Sequence, residues 1–202
     1  MAVRGSYSKG VAKREEILSV ALKVIAAKGY GRTTVRDLAE AVGLTQAGLL
    51  HYFSSKEELF AEVLRARDEV DVMNSTGAGA PADIVDGFVS IVRHNCEVPG
   101  LVQLYARLSA EATDRSNASH DFFAERYRGI RDQLATGIRA IQDVGGAPQN
   151  LDADVLARIL IALSDGLQTQ WLIEPNFEMA DVMGHLVDQL GIHGGMAGSA
   201  PG

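Results

Sequence analysis

The chain has 202 residues, a formal net charge of −7 and one cysteine, Cys96. This length allows a sizeable core in one or two domains. A single cysteine excludes an intrachain disulfide, which favours a reducing compartment. No apolar run reaches the roughly 18 residues of a membrane span, and the N-terminus lacks the apolar segment of a signal peptide. We therefore predict a cytoplasmic protein without a membrane partner.

The charges are distributed unevenly along the chain. Residues 1–56 contain nine Lys or Arg and four acidic residues, whereas the rest contains ten basic and 22 acidic residues. A basic head on an acidic body can orient a protein on a polyanion such as DNA. Residues 1–10, with basic and hydroxyl side chains and glycines, are expected to form a basic arm.

A short amphipathic helix is predicted over residues 34–42. Its apolar residues share the i, i+3, i+4, i+7 spacing of one helical face: Val35, Leu38, Ala39 and Val42. Thr34 is placed to cap this helix, and Asp37 puts negative charge at its positive end. Gly43 supplies the left-handed residue that ends it.

A second short helix is predicted from Gln46 to Phe53, with Thr45 as its cap. Gly48 inside this helix costs about 1 kcal/mol relative to Ala, and we interpret it as a place where the backbone approaches a DNA duplex closely. Gln46 can bind adenine through two hydrogen bonds, and Thr45 can contact a phosphate or a thymine methyl group. Two short helices around a tight turn predict a helix-turn-helix in the major groove.

A further helix opens at a Ser55-x-x-Glu58 capping box. Lys56 lies in its first turn, where a cation opposes the helix dipole and a nearby phosphate would remove that penalty. From there onward the apolar periodicity predicts helices and no convincing strand. Breaks at 76–81, 99–100, 145–148 and 174–175 separate helices at 81–97, 101–112, 119–144, 153–173 and 177–190.

The last two helices are apolar on more than one face, which favours a homodimer seam because a monomer buries only one stripe. The alternative is that these helices are buried all round in a monomer core. The candidate interface residues are Leu156, Leu160, Leu163, Leu167, Val182 and Leu186.

Residues 14–64 resemble the DNA-binding domain of the tetracycline-repressor (TetR) family of bacterial regulators. The matching residues are Ile17-Leu18-x-x-Ala21, Gly29-Tyr30, Thr33 to Ala39, Ala41 to Leu44, Gly48 to Phe53 and Ser55 to Leu59, in order and without gaps. The family often has Tyr where this chain has Leu50, so Tyr52 is the alternative phosphate contact. The candidate DNA-binding residues are Thr34, Arg36, Thr45, Gln46, Ala47, Gly48, His51, Tyr52 and Lys56.

The resemblance implies an all-α fold of about nine helices: a DNA-binding domain at residues 1–56, an effector-binding and dimerisation domain at 57–190, and a flexible tail at 191–202. The middle helices of family members enclose a small-molecule pocket. The candidates for it are Phe88, Asn95, Tyr105, Phe123, Tyr127 and Trp171. The alternative, favoured for each residue taken singly, is an ordinary core residue whose polar tip is hydrogen-bonded. Several aromatics and few charges predict a small, largely apolar effector.

The function implied is a repressor that a small molecule releases from a palindromic operator in double-stranded DNA, through a population shift. The alternative is an all-helical ligand-binding protein or enzyme that does not bind DNA. Ser109 with Glu111 and His120 with Asp121 are the only hydrolytic-looking pairs, and neither has the spacing of a catalytic triad. We therefore predict no enzyme activity, no cofactor and no metal site.

Overall fold

In a computed structural model, the backbone is described for residues 3–75 and 80–192, and the side chains for residues 10–70 and 80–192. Nine α-helices occupy these described ranges, and no strand is found there, so the predicted all-α class is confirmed. The helices are α1 Val3–Lys28, α2 Val35–Ala41, α3 Gln46–Leu50, α4 Lys56–Ser75, α5 Asp83–Asn95, α6 Pro99–Glu111, α7 His120–Asp143, α8 Ala153–Ile173 and α9 Met179–Leu190. A short 3-10 helix, Tyr30–Arg32, follows α1.

The chain divides into two compact units. Unit 1 comprises residues 1–70 and 98–123, and unit 2 comprises residues 71–97 and 124–202. The proposed functional boundary after residue 56 does not coincide with this division, because α6 folds with the N-terminal helices. The helix-turn-helix therefore rests on a body larger than the first three helices.

Unit 1 is held together around the end of α1. Ile25 and Leu59 are completely buried, and Tyr30 meets Phe60 edge-on with ring centroids 5.1 Å apart. Gly100, in the first turn of α6, lies directly against the α1 backbone. A Cβ added to Gly100 would stand 2.2 Å from the Ile25 carbonyl oxygen, so only glycine fits there.

Unit 2 is built from α5, most of α7, α8 and α9. Its core contains the fully buried Ile138, Leu160, Met179 and Met183. The connection between α7 and α8 is fixed by Gln142, whose Nε2 donates to the carbonyl oxygens of two later residues at 2.9 and 2.8 Å. This bonding satisfies a buried amide group and holds α8 at a defined start.

Two expectations about segment ends change. Residues 3–10 belong to α1, so the helix begins where a basic arm was expected; the side chains of residues 1–9 lie outside the described ones. Ile192 is fully buried against the unit 2 core, so the chain is still packed after residue 191, where the tail was placed. The rest of that tail, 193–202, and the predicted break at 76–79 lie outside the described residues.

Candidate DNA interface and ligand site

The N-terminus of α2 is closed by a reciprocal pair of hydrogen bonds. The Asp37 backbone N–H donates to Thr34 Oγ1 at 3.1 Å, and the Thr34 backbone N–H donates to the Asp37 carboxylate at 2.8 Å. Hydrogen bonds from the Thr34 hydroxyl and backbone hold the pKa of Asp37 below its usual value. The predicted cap is thus confirmed, with Asp37 as a hydrogen-bonding partner and not only a favourable charge.

The turn and α3 follow the predicted pattern. Gly43 adopts a left-handed conformation at φ 68°, and Thr45 Oγ1 accepts the Gly48 N–H at 3.0 Å. Helix α3 ends at Leu50, three residues earlier than predicted, and the chain continues as a turn in which the Tyr52 N–H donates to the Leu49 carbonyl oxygen. Leu49 is fully buried and anchors the helix.

The first turn of α3 presents its side chains to solvent. Thr45, Gln46 and Ala47 are exposed, Gly48 is partly exposed, and His51 is exposed just beyond the helix. The N-terminal residues of a recognition helix are the ones that reach base edges in the major groove. Gln46 is the only long polar side chain within α3, and we predict it as a base contact.

The cap of α3 gives a second explanation for glycine at position 48, which the sequence did not show. A Cβ at this position would lie 3.2 Å from Thr45 Oγ1, the atom that caps α3. A side chain there would therefore press on the cap. The earlier interpretation, that only a close approach to DNA explains this glycine, was too narrow.

The candidate phosphate contacts flank α3. Lys56 is exposed at the start of α4, with Nζ 5.6 Å from the centroid of the Phe60 ring. Tyr52 is half-buried, and its ring meets that of His51 edge-on at 6.1 Å. Arg36 is exposed and pairs with Glu40 at 2.9 Å, an i, i+4 surface pair of the weak kind that a phosphate can replace. The exposed Thr34 completes the predicted set.

The capping box at the start of α4 is confirmed in part. The Glu58 N–H donates to Ser55 Oγ at 3.0 Å, as predicted. The Glu58 carboxylate, however, reaches back to the backbone N–H of Ser54 at 2.6 Å. Hydrogen bonds from the Ser54 side chain are the largest cause of a Glu58 pKa below the usual value, and Arg14 adds to it.

Two basic residues of α1 that the sequence analysis did not single out position the helix-turn-helix. Lys13 Nζ donates to the carbonyl oxygen of Val42, at the end of α2, at 3.1 Å. Arg14 pairs with Glu62 of α4 at 3.0 Å, and its guanidinium lies 4.8 Å from the Phe53 ring centroid. Part of the positive charge of the N-terminal region therefore serves internal contacts. No sequence signal distinguished these residues from a solvated basic face.

The six candidate ligand residues are divided between the two units. Tyr105 and Phe123 belong to unit 1, where they are 5% and 3% exposed and their ring centroids are 5.6 Å apart. The other four candidates belong to unit 2. Phe88 and Trp171 are half-buried against its core, and Asn95 is buried. Tyr127 alone among the six lines the cavity described next.

A cavity of about 410 Å³ lies between α7 and α8 of unit 2 and is partly open to solvent. Its lining consists of Tyr127, Arg131, Arg158, Ile161, Ala162 and Asp165. The Tyr127 hydroxyl donates to the Asp165 carboxylate at 2.8 Å. The size is within the range of small-molecule sites, about 300–1,000 Å³, but the lining carries more charge than the sequence predicted for the effector site.

The predicted dimer residues are divided by their burial. Leu156, Leu160 and Leu167 are 6%, 0% and 5% exposed, because they form the core of unit 2. They are therefore unavailable for a seam. Leu163 and Leu186 are half-buried, and Val182 is 42% exposed.

The apolar residues of α8 that are exposed are different from the predicted interface residues. On α8, Val155, Ile159 and Ile173 are 52%, 44% and 81% exposed. Gly166, in the same helix, has no described atom within 4 Å of an added Cβ. The apolar periodicity of the sequence indicated that α8 is apolar on two faces. The prediction placed in the dimer interface the face that packs into the core of unit 2.

The hydrolytic-looking residues have local structural roles. Ser109 Oγ donates to the Ala106 carbonyl oxygen, Glu111 pairs with Arg107, and His120 Nδ1 lies 2.8 Å from the Ala112 carbonyl oxygen. Within the described residues, no helix is long and apolar enough to cross a membrane.

Two family models match the chain. Residues 17–63 match the model of bacterial regulatory proteins of the tetR family, and residues 99–190 match the C-terminal domain of BetI-type transcriptional repressors. The first match covers α2, α3 and their turn, so it includes the exposed start of α3. The second covers α6 to α9.

Curated relatives align over part of their length. The HTH-type transcriptional repressor KstR2 of Mycolicibacterium smegmatis is 41% identical over 58 residues, which are 29% of this chain and 28% of that protein. KstR2 of Rhodococcus jostii is 30% identical over 118 residues, which are 58% of this chain and 52% of the relative. The chain thus spans about half or less of the length of these relatives.

Similarity to solved structures extends over nearly the whole fold. A transcriptional regulator from Saccharomonospora viridis, solved in complex with choline, is 25% identical with a TM-score of 0.60, covering 87% of this chain and 95% of that one. The family models and the relatives are those of helix-turn-helix regulators, which agrees with the two capped helices α2 and α3. The chain belongs to the TetR family of bacterial transcriptional regulators.

Proposed function

We propose that this protein is a ligand-responsive transcriptional regulator, most simply a repressor that binds a palindromic operator. The exposed first turn of α3 is the observation that carries this proposal. Gln46 and Ala47 have no packing role there, whereas Leu49 on the opposite side holds the helix in place. A polar, solvent-facing helix start on a rigid support is what direct readout of base edges requires.

The protein acts as a homodimer in this proposal. Two recognition helices read one palindrome when they are about 34–36 Å apart, one turn of DNA. The exposed apolar residues of α8 and α9, Val155, Ile159 and Val182, provide a surface that a second copy would remove from water. A DNA-bound regulator works where the bacterial chromosome lies, so we place the protein in the cytoplasm.

A small molecule regulates the DNA affinity. An effector shifts the population of two states only if it binds one of them better than the other. The cavity between α7 and α8 is a candidate entry point because it has the volume of a small-molecule site.

The test begins with selection of DNA from a random duplex library by the purified full-length chain, followed by fluorescence anisotropy on the selected site. Gln46→Ala should lose about 1–3 kcal/mol of discrimination against a substituted base pair. Gln133→Ala, an exposed glutamine on α7, is the matched control and should bind as the original protein does.

Lys56→Ala should weaken binding to all sequences alike and reduce the slope of log affinity against log salt by about 0.9, the share of one phosphate. Enrichment of no palindrome would refute the proposed function and favour a ligand-binding protein without DNA-binding activity. Unchanged discrimination by Gln46→Ala at matched salt would show that α3 is not the reading helix.

A further inference from the structure

The cavity between α7 and α8 carries cationic groups that the function described so far does not use. Arg131 comes from α7 and Arg158 from α8, so two guanidinium groups border one open space. Ile161 and Ala162, on the turn of α8 that follows Arg158, give the same cavity an apolar wall. Cationic groups beside an apolar wall match a ligand with a negatively charged head and a hydrocarbon part.

The two arginines differ in how their charge is balanced. Arg131 donates to the carboxylate of Asp132 on its own helix at 2.8 Å, and its side chain is 26% exposed. Arg158 forms no ion pair with any residue in the described part of the chain. Asp154, one turn before it, is paired instead with Arg139. Arg158 is therefore the available cation of the cavity.

The acidic group of the cavity is already engaged. The Asp165 carboxylate accepts the Tyr127 hydroxyl at 2.8 Å. That bond uses the proton of the phenol. The guanidinium groups of Arg131 and Arg158 carry several N–H donors each and no acceptor. The free hydrogen-bonding capacity at the arginines therefore favours an anion.

We propose that this cavity binds a small organic anion, such as a carboxylate with a short hydrocarbon chain, with Arg158 as its principal charge contact and Ile161 and Ala162 against its apolar part. Arg131 adds a second donor when the ligand competes with the exposed Asp132. The binding of the anion follows from the cavity alone. Only its effect on DNA affinity rests on the proposed regulatory function.

The expected ligand differs in charge from the one bound by the choline-bound structural neighbour. Choline is a quaternary ammonium cation, and such ligands are recognised by aromatic faces. The lining here offers one aromatic residue, Tyr127, and two guanidinium groups that repel a cation. The charge of the preferred ligand should therefore be opposite to that of choline, and the ligand should be less purely apolar than the sequence predicted.

Isothermal titration calorimetry on the full-length chain tests the proposal with three probes: octanoate, octanamide and choline. Octanoate should bind with one-site stoichiometry. Octanamide, which has the same chain and no charge, should bind at least about ten-fold more weakly, because charge-assisted hydrogen bonds are roughly twice as strong as neutral ones. Choline should show no binding in the same concentration range.

Variants locate the site. Arg158→Gln should weaken octanoate binding about ten-fold or more, and Arg158→Lys should recover part of it by restoring the charge without the planar fork. Arg93→Gln, an exposed arginine of α5 outside the cavity, is the matched control and should bind as the original protein does. The original protein and the three variants should melt within a degree or two of one another, since Arg158 and Arg93 are both exposed.

Equal binding of octanoate and octanamide, binding of choline at similar strength, or an Arg158→Gln variant that binds octanoate unchanged would each overturn the proposal. Absence of octanoate binding would also overturn it. The DNA anisotropy assay without ligand is read separately. A protein that binds octanoate but selects no DNA would refute the regulatory function and leave the anion site standing, and the reverse result would refute only the anion site.

Discussion

Replacing Gly100 with alanine should destabilise unit 1, which carries the DNA-binding helices. Gly100 is the second residue of α6 and lies against the end of α1. An added Cβ would stand 2.2 Å from the Ile25 carbonyl oxygen and 2.8 Å from the Gly29 Cα. Both obstacles are backbone atoms, so no side-chain rotation relieves the contact and the two helices must separate.

The size of the effect follows from two opposing terms. Carbon and carbonyl oxygen atoms in close contact are about 3.3–3.6 Å apart, so the added methyl group overlaps by about 1 Å. Overpacking of this kind costs about 1–3 kcal/mol and occasionally more. Alanine regains at most about 1 kcal/mol of helix propensity. Because the obstacles are backbone atoms, we expect a cost in the upper part of the overpacking range. After the gain in helix propensity is subtracted, the net loss is about 2 kcal/mol in the free energy of unfolding.

Urea unfolding followed by far-UV circular dichroism measures this loss, at one protein concentration because dimerisation makes stability depend on concentration. Gly129→Ala is the control. Gly129 lies in the middle of α7, is exposed, and has nothing within 4 Å of an added Cβ, so that variant should gain up to about 1 kcal/mol. A Gly100→Ala protein as stable as the original would refute the close packing of α1 against α6.

Further expectations concern burial and charge. Ile159→Glu should weaken dimerisation in sedimentation while the monomer stays folded, whereas Leu160→Glu should unfold the protein, since only Leu160 is fully buried; equal behaviour of the two would contradict the assignment of the outer face. Tyr105→Ala should cost about 3–5 kcal/mol of stability as a core truncation, and a smaller loss would mean that Tyr105 lines an open pocket. The Glu58 pKa is lowered on folding, so its stabilisation is complete above the unfolded value of 4.5 and is lost as the pH falls through the lower folded pKa. Glu58→Gln should therefore flatten the loss of stability on acidification, as measured by urea unfolding at several pH values; an unchanged profile would show that Glu58 contributes nothing to it.

The local structure of the recognition region could be predicted from the sequence. Thr34 and Asp37, the left-handed Gly43 and the cap at Thr45 appear in the structure as expected. Each of these features depends on residues within three or four positions of one another. Hydrogen bonds of that range are set by residue type and spacing, so the order of residues along the chain is sufficient to specify them.

Contacts between distant segments could not be predicted in this way. The sequence showed that Leu160 and Ile159 lie on different faces of an apolar helix, but it could not tell which face turns inward. Lys13 and Arg14 looked like members of a basic surface until their partners on α2 and α4 were known.

The cavity illustrates the same limit. Tyr127 was named as a ligand residue for its aromatic ring. Arg158 was not named, because it lies 31 positions after Tyr127 in the chain and only the packing of α7 on α8 brings the two into one lining. The sequence determined the helices, their caps and the family to which the chain belongs. Tertiary packing alone decided which residues are buried, which charges are paired and what chemistry the cavity offers, because those properties arise from side chains that meet only after the helices pack.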